Sequence, residues 1–230
     1  MIHSTAIIDP AAELSEGVSV GPYAIIGPGV SIDTGTEIGP HAVIRGPTRI
    51  GKNNRFFQFV SVGEAPQDKK YKGESTSLEI GDDNVIREYS TIHRGTIQDK
   101  GITLVGNGNL LMAYTHVAHD CVIGNHVIMA NGASLAGHVR VDDYAILGGF
   151  SLVHQFCKIG QFSFSGMGSV ISRDVLPYVM IGGTPTKPRG INNVGLERHG
   201  YSPEVIRQIR KAYKIIYKSG LKLDDAMQSL

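Results

Sequence analysis

Residues 105–171 read VGNGNLLMAYTHVAHDCVIGNHVIMANGASLAGHVRVDDYAILGGFSLVHQFCKIGQFSFSGMGSVI. Every sixth residue gives Val105, Leu111, Val117, Ile123, Met129, Leu135, Val141, Leu147, Val153, Ile159, Ser165 and Ile171, all apolar but Ser165. Helices repeat every ~3.6 residues and strands every ~2, so neither alone sustains this beat. The beat extends back through Ile2, Ile8, Leu14, Val20, Ile26, Ile32, Ile38, Ile44, Ile50, Phe56 and Val62, and resumes at Ile80, Ile86 and Ile92. Two residues before each rung stands a small or β-branched residue, such as Ala24, Val30, Ala42, Ala133 or Ala145; Asn54, Leu78, Asn84 and Asn109 break this rule.

Two inward residues two apart define one short strand, because strand side chains alternate in face. Glycine and polar residues then turn the corner. Three such units close a triangular coil, and coils stack as parallel strands. The sequence therefore predicts an all-β solenoid with a small α region: a left-handed parallel β-helix of hexapeptide repeats, then a short C-terminal helical segment. About nine coils at ~4.8 Å per step make a prism roughly 40–45 Å long. The expected boundaries are 1–185 for the β-helix and 186–230 for the helical segment. Glu64–Ser77 would bury Asp68 and Glu74, and Arg94–Thr103 carries an odd extra residue, so both segments should be extruded as loops. Cys121 and Cys157 fall in one inward column two coils apart, roughly 9–10 Å, too far for a disulfide.

After Ser172 the beat fades into LPYVMIGGTPTKPRG, an irregular exit by its proline and glycine content. Ser202-Pro203-Glu204 then offers a helix start, with Ile206, Ile209, Tyr213 and Ile216 on one face and Gly220 as a stop. A second helix is expected near Asp224. From Lys187 to Lys218 there are eight Lys or Arg against two Glu, a surface suited to an acidic protein or a phosphorylated substrate. The whole chain carries only +1, which gives no bulk attraction to nucleic acid or membrane. It lacks a signal-like N-terminus and an apolar span, so a cytoplasmic enzyme with no stable membrane insertion is expected.

Five of the nine histidines lie between His116 and His154. His116, His119 and His138 occupy neither inward phase. They could be solvated, could hold zinc, or could do acid–base chemistry with Asp120 orienting a ring. Tyr144, Phe150, Phe156 and Phe162 recur every six residues in a phase that is not inward. Together they would form an apolar patch sealed by another subunit or by the C-terminal helix.

The motifs VGEAPQDKKY, TIHRGT, NLLMAYTHVAHDC, LAGHVRVDD, AILGG, VHQFC, LPYV and RKAYKIIYKSG resemble those of the UDP-N-acetylglucosamine O-acyltransferases, which start lipid A synthesis in Gram-negative bacteria. The likeness runs over essentially the whole chain. It implies transfer of a 3-hydroxyacyl chain from acyl carrier protein to the glucosamine 3-hydroxyl of UDP-N-acetylglucosamine. His119 matches the general base, Asp120 its orienting partner, and the Gly137 N–H the oxyanion donor. Gln67, Asp68, Lys70, His93, His116, His138, His154, Gln155, Asn192 and Arg198 match substrate-binding positions. The family implies a homotrimer, no metal, no bound cofactor, and a basic helix that receives the carrier protein.

Three positions depart from the family pattern. Met167 replaces the glycine that ends the acyl groove in long-chain enzymes, which predicts a chain near ten carbons. Val194 and His199 replace a glutamate and an arginine, leaving the 3-amino sugar analogue open as acceptor. The chain also stops about two helices early relative to the family. Outside this class, a zinc enzyme of the carbonic-anhydrase kind and a non-catalytic scaffold remain to be tested.

Overall fold

The structure is a computed structural model. It describes residues 1–230, the side chain of Leu223 excepted. Short parallel strands follow one another along the chain, and each pairs with the strand three places on, not with its neighbour. Three sheets result, one per face of a triangular prism. The first runs from Ile7–Ile8 to Val170–Ile171 and the second from Glu13–Leu14 to Lys158–Ile159. The third runs from Ser19–Val20 to Val179–Gly182. Inward rungs from all three meet in one continuous core, where Ile44, Ile86, Leu111, Met129 and Leu135 are fully buried. Only at the N-terminal end does the beat lie open, with Ile2 52% exposed.

Register fixes the loops. His116 pairs with Ser134, one 18-residue coil later. Ser61 pairs with Thr91, 30 residues on, and Thr91 with His116, 25 residues on. The excesses of 12 and 7 over 18 are the two extrusions, residues 65–76 and 95–101. The second is shorter than expected, because Ile102–Val105 rejoins the second sheet and buries Thr103 in the small inward phase.

The polar exceptions of the core are satisfied within it. Asn84 Nδ2 donates to Asn54 Oδ1 and to the Gly106 carbonyl, both at 2.9 Å. Asn84 Oδ1 accepts from the Asn109 N–H at 2.9 Å, and Asn109 Oδ1 from the Val127 N–H at 2.7 Å. Ser165 shares a 2.8 Å hydrogen bond with Ser151 Oγ and accepts from the Gly148 N–H at 3.0 Å. A polar rung is thus matched by a polar residue of the small phase and by a corner amide. Cys121 and Cys157 are buried free thiols, and burial pushes Cys121 up to about 12.

The aromatic phase does not form one patch. Six residues advance the chain by one face, so only residues eighteen apart share an edge. Tyr144 and Phe162 share one edge, with centroids 4.7 Å apart. Phe150 stands on a second edge, and Phe156 on a third, stacked on His138 at 4.5 Å. Both are exposed, while Phe162 is covered by His199 and Tyr201 at 5.1 and 5.3 Å. The edge of Phe150 carries its own column, Tyr23, His41, Phe59, Tyr89 and Tyr114, stacked 4.9–5.2 Å apart. All these corner residues hold the left-handed conformation, with φ from +55° to +66°.

The exit is not irregular. Val179–Gly182 turns back as Lys187–Ile191, which pairs antiparallel and carries the third sheet past residue 185. A helix that periodicity missed, α1 (Asn193–Arg198), follows. Asn192 caps it, Oδ1 accepting from the Gly195 N–H at 3.0 Å. Next comes α2 (Pro203–Lys218), capped by Ser202 and buried through Ile206 and Tyr213, then α3 (Leu223–Gln228). No helix is long and apolar enough to cross a membrane among the described residues.

Candidate active site

The strand His116–Val117 ends the first face, and the chain turns toward the second at His119 and Asp120. One coil later the same corner is made by Gly137 and His138, and one coil beyond by Gln155 and Phe156. Asp120 and His138 take φ of +59° and +63°, which turns the chain sharply and stacks successive corners along one edge. A Cβ at Gly137 would stand 2.5 Å from His119 Cε1, so glycine alone lets the imidazole lie against this backbone.

Asp120 is almost wholly enclosed, its side chain 1% exposed. Its Oδ1 accepts from the Thr96 N–H at 2.8 Å, and its Oδ2 from the Thr96 hydroxyl at 2.6 Å. The Asp120 N–H donates to Thr103 Oγ1 at 2.8 Å. So fixed, Oδ2 takes the Nδ1–H of His119 at 2.8 Å. That bond leaves His119 Nε2 as the free, basic nitrogen. His138 meets the His119 ring edge to face at 5.1 Å and contacts Asp99 through Nδ1 at 3.3 Å. The Gly137 N–H finds no acceptor among the described residues.

A cleft of about 690 Å³ opens over this corner, lined by Gln67, Asp68 and Lys70 from the first extruded loop, Gln98 and Asp99 from the second, and His119, His138, Gln155 and Phe156 from the prism. Eight of those nine residues are polar. His93 and His116 lie beside this lining, meeting edge to face at 5.2 Å. Thr91 Oγ1 and His116 Nδ1 share a 2.7 Å hydrogen bond. Burial, reinforced by the neighbouring His116, lowers His93 to about 4, and burial likewise lowers His116. Both rings are therefore neutral at pH 7.

Other positions are not gathered here. His154 is exposed, its Nδ1 against the Gln155 carbonyl at 3.2 Å. Asn192 spends its amide on the α1 cap and on the Phe162 carbonyl, 3.0 Å away. Arg198 is exposed in the last turn of α1. His199 packs on Tyr144 at 4.9 Å and donates through Nδ1 to the Gly195 carbonyl at 2.8 Å, so it serves the helix end. Met167 is 82% exposed on the corner between the third and first faces, away from the His119 corner.

Sequence reading missed Thr96, Gln98 and Asp99. Only the length of the second loop hinted at them, since nothing in the spacing aims Thr96 at Asp120. The three-histidine zinc set does not form: the ligand atoms within 4.8 Å of one another belong to His119, Asp120 and His138 among the described residues, with His116 outside. Asp120 already spends both oxygens on Thr96 and His119, an arrangement suited to orienting a base.

A stacked-coil prism with a His–Asp pair at one corner defines a hexapeptide-repeat transferase. The model for "Bacterial transferase hexapeptide (six repeats)" matches residues 102–137, and that for "Udp N-acetylglucosamine O-acyltransferase; Domain 2" matches 174–230. The chain belongs to the acyl-[acyl-carrier-protein]–UDP-N-acetylglucosamine O-acyltransferase family. The protein of that name from Alkalilimnicola ehrlichii is 60% identical over 229 residues, covering 100% of this chain and 89% of its own. That from Halorhodospira halophila is equally 60% identical, with the same coverage. Among solved structures, LpxA from Acinetobacter baumannii superposes with a TM-score of 0.97 at 53% identity, over 99% of this chain and 88% of its own. The UDP-N-acetylglucosamine acyltransferase of Francisella novicida gives 0.98 at 43%, over 100% and 84%.

Proposed function

We propose that this protein transfers a 3-hydroxyacyl chain of about ten carbons from acyl carrier protein to the 3-hydroxyl of UDP-N-acetylglucosamine, the opening step of lipid A synthesis. The observation that carries the chemistry is the His119–Asp120 pair, held rigid by Thr96 beside Gly137. His119 Nε2 takes the proton from the sugar 3-hydroxyl as its oxygen attacks the thioester carbonyl. Asp120 steadies the imidazolium that forms. The Gly137 N–H donates to the oxyanion of the tetrahedral intermediate. Collapse breaks the C–S bond, and the departing thiolate takes the proton back from His119. The products are the 3-O-acylated sugar nucleotide and the free carrier thiol.

Asp68, Lys70, Gln67 and Gln155, with His138, supply the polar groups that a sugar nucleotide needs. His93 and His116 stand behind them as neutral hydrogen-bonding groups. The exposed Arg207, Arg210, Lys211, Lys214 and Lys218 of α2 offer a cationic face to an acidic carrier. No cofactor or metal enters this chemistry.

The working unit in this scheme is a homotrimer. His119, Met167 and the Asn192–Arg198 region occupy three different edges of one prism, so one chain cannot gather base, ruler and nucleotide arm. Side-by-side copies can. The third sheet presents the surface for it: Val85, Leu110, Ile128, Ile146, Phe164 and Met180 pair in register on its outer side, an apolar ladder of roughly 24 Å. This ladder takes over the sealing role that the aromatic phase, split over three edges, does not fill. His154 and Arg198 then meet the nucleotide from neighbouring subunits, and Met167 closes the acyl groove.

An acyl-transfer assay with UDP-N-acetylglucosamine, its 3-amino analogue and a ladder of 3-hydroxyacyl carrier proteins tests the assignment. Transfer to the hydroxyl sugar with a maximum near ten carbons is expected. No transfer to that sugar, or transfer to the amino sugar alone, would overturn it.

A further inference from the structure

Arg94 leaves the strand Thr91–His93 at the foot of the second extruded loop, yet its side chain reaches the first. Nη1 donates to the carbonyls of Gly46 at 2.6 Å and Gly63 at 2.8 Å, locking the guanidinium to the prism. Nη2 donates to the Tyr71 hydroxyl at 3.2 Å, which in turn donates to the Glu74 carbonyl at 2.9 Å. The Tyr71 N–H donates to the Asp68 carbonyl at 3.0 Å, and the Lys70 N–H to Asp68 Oδ1 at 2.9 Å. Tyr71 therefore closes the turn that carries Asp68 and Lys70 into the cleft. Arg94 Nε is buried without an acceptor, so this geometry is kept although one donor goes unmet.

The same strand end serves the opposite wall. Two residues after Arg94, Thr96 grips Asp120 through its N–H and hydroxyl. Between them, a Cβ on Gly95 would meet the Ile102 nitrogen at 2.2 Å, so the segment is packed against the returning chain. Four consecutive residues, His93 to Thr96, thus join the loop side of the cleft and the base side through one short piece of backbone.

We propose that Arg94 is a positioning residue for the acceptor site: through Tyr71 it sets where Asp68 and Lys70 stand relative to His119. It touches neither substrate nor reacting atoms. This role rests on the acceptor assignment above and acts on binding of the sugar nucleotide, with the proton transfer at His119 left intact. A lysine cannot replace it, because one ammonium cannot span two carbonyls and a phenol in the fork geometry of a guanidinium.

The test compares wild-type protein with Tyr71→Phe and Arg94→Lys, reading amide hydrogen exchange across residues 66–75 and steady-state kinetics. Removing one such hydrogen bond should speed exchange in the loop about ten-fold and raise KM for UDP-N-acetylglucosamine about ten-fold. The saturated kcat should stay within about two-fold, the split that separates positioning from chemistry. Tyr71→Phe removes one hydroxyl from a half-buried ring, so it carries the test should Arg94→Lys fail to fold. Unchanged loop exchange, or an unchanged KM, or a kcat that falls at constant KM, overturns the proposal. Exchange needs no substrate, so an inactive wild-type protein would count against the acyltransferase assignment, and unchanged exchange against the clasp.

Discussion

Thr96 holds both carboxylate oxygens of Asp120, the N–H at 2.8 Å from Oδ1 and the hydroxyl at 2.6 Å from Oδ2. The pair lies 24 residues apart in sequence and is buried. It turns an aspartate that could rotate into a fixed platform for His119. Thr96→Val keeps the shape and removes the hydroxyl. It should cost about 1.5–3 kcal/mol of stability, because a hydrogen bond to a buried charge is lost. The kcat should fall about ten-fold as the ring loosens, with little change in KM. Denaturant titration and steady-state rates measure the two effects.

His119→Ala should lower kcat by about 10²–10⁴-fold, the usual contribution of a positioned general base. The imidazole is only 15% exposed and donates to the buried Asp120, so the melting temperature should fall by a few degrees, while the oligomeric state should not move. A variant retaining wild-type rates would assign the base elsewhere.

His93 makes stability depend on pH. Its folded pKa of about 4 lies below the ordinary value of 6.5. Between those values the unfolded chain binds a proton that the folded chain refuses. The stabilisation is whole above 6.5 and drains away as the pH falls toward about 4. The full swing is about 3 kcal/mol at the usual conversion. His93→Phe should flatten the stability profile over that window. It should not level it completely, since His116 is lowered in the same direction. Urea midpoints taken across that pH range decide.

Asn84→Ala restores the small inward phase that the repeat asks for, yet it should destabilise. It strips the Gly106 carbonyl of its side-chain donor and the Asn109 N–H of its acceptor, and leaves Asn54 Oδ1 with the Asn84 N–H alone. Buried unmet groups of this kind cost about 1–3 kcal/mol each, so a loss of several kcal/mol is expected in thermal unfolding.

Two surface substitutions separate assembly from specificity. Ile128→Asp places a charge in the middle of the apolar ladder and should yield a monomer in sedimentation, with activity lost. Met167→Gly, at a residue 82% exposed in one chain, should leave assembly and stability alone. If Met167 ends the acyl groove as proposed, its removal should shift the preferred acyl donor by roughly four carbons, toward about fourteen.

The prism was legible because it is written in single residues at fixed intervals. Rungs from Val20 to Ile171 point inward as their spacing demands. The pairs that the repeat does not encode were less visible. Ser165 looked like a fault until Ser151 was seen across from it. The exit segment looked irregular because antiparallel pairing of Val179–Gly182 with Lys187–Ile191 leaves no six-residue trace. The aromatic phase misled, since a period of six counts faces, whereas a shared edge requires eighteen. Within the site, His119 and Asp120 stood out as neighbours in the chain. Thr96 did not, because an extruded loop brings it to Asp120 without any periodic signal.

Coil register also governs which changes in length the molecule can absorb. An insertion or deletion of eighteen residues returns every later side chain to its own edge, one step along the axis. A change of six keeps the rungs inward and leaves the core well packed, but rotates everything downstream by one face. His138 and Gln155 would then leave the edge of His119. The prism would still close, and the loss would fall on its chemistry and on the apolar ladder of the third sheet, which such a rotation splits between two faces. The extrusions of 12 and 7 residues escape this arithmetic because each re-enters on the next face in sequence. Length can thus vary at those two places without disturbing the coil register, though at the expense of the cleft walls they carry, and elsewhere only in whole coils.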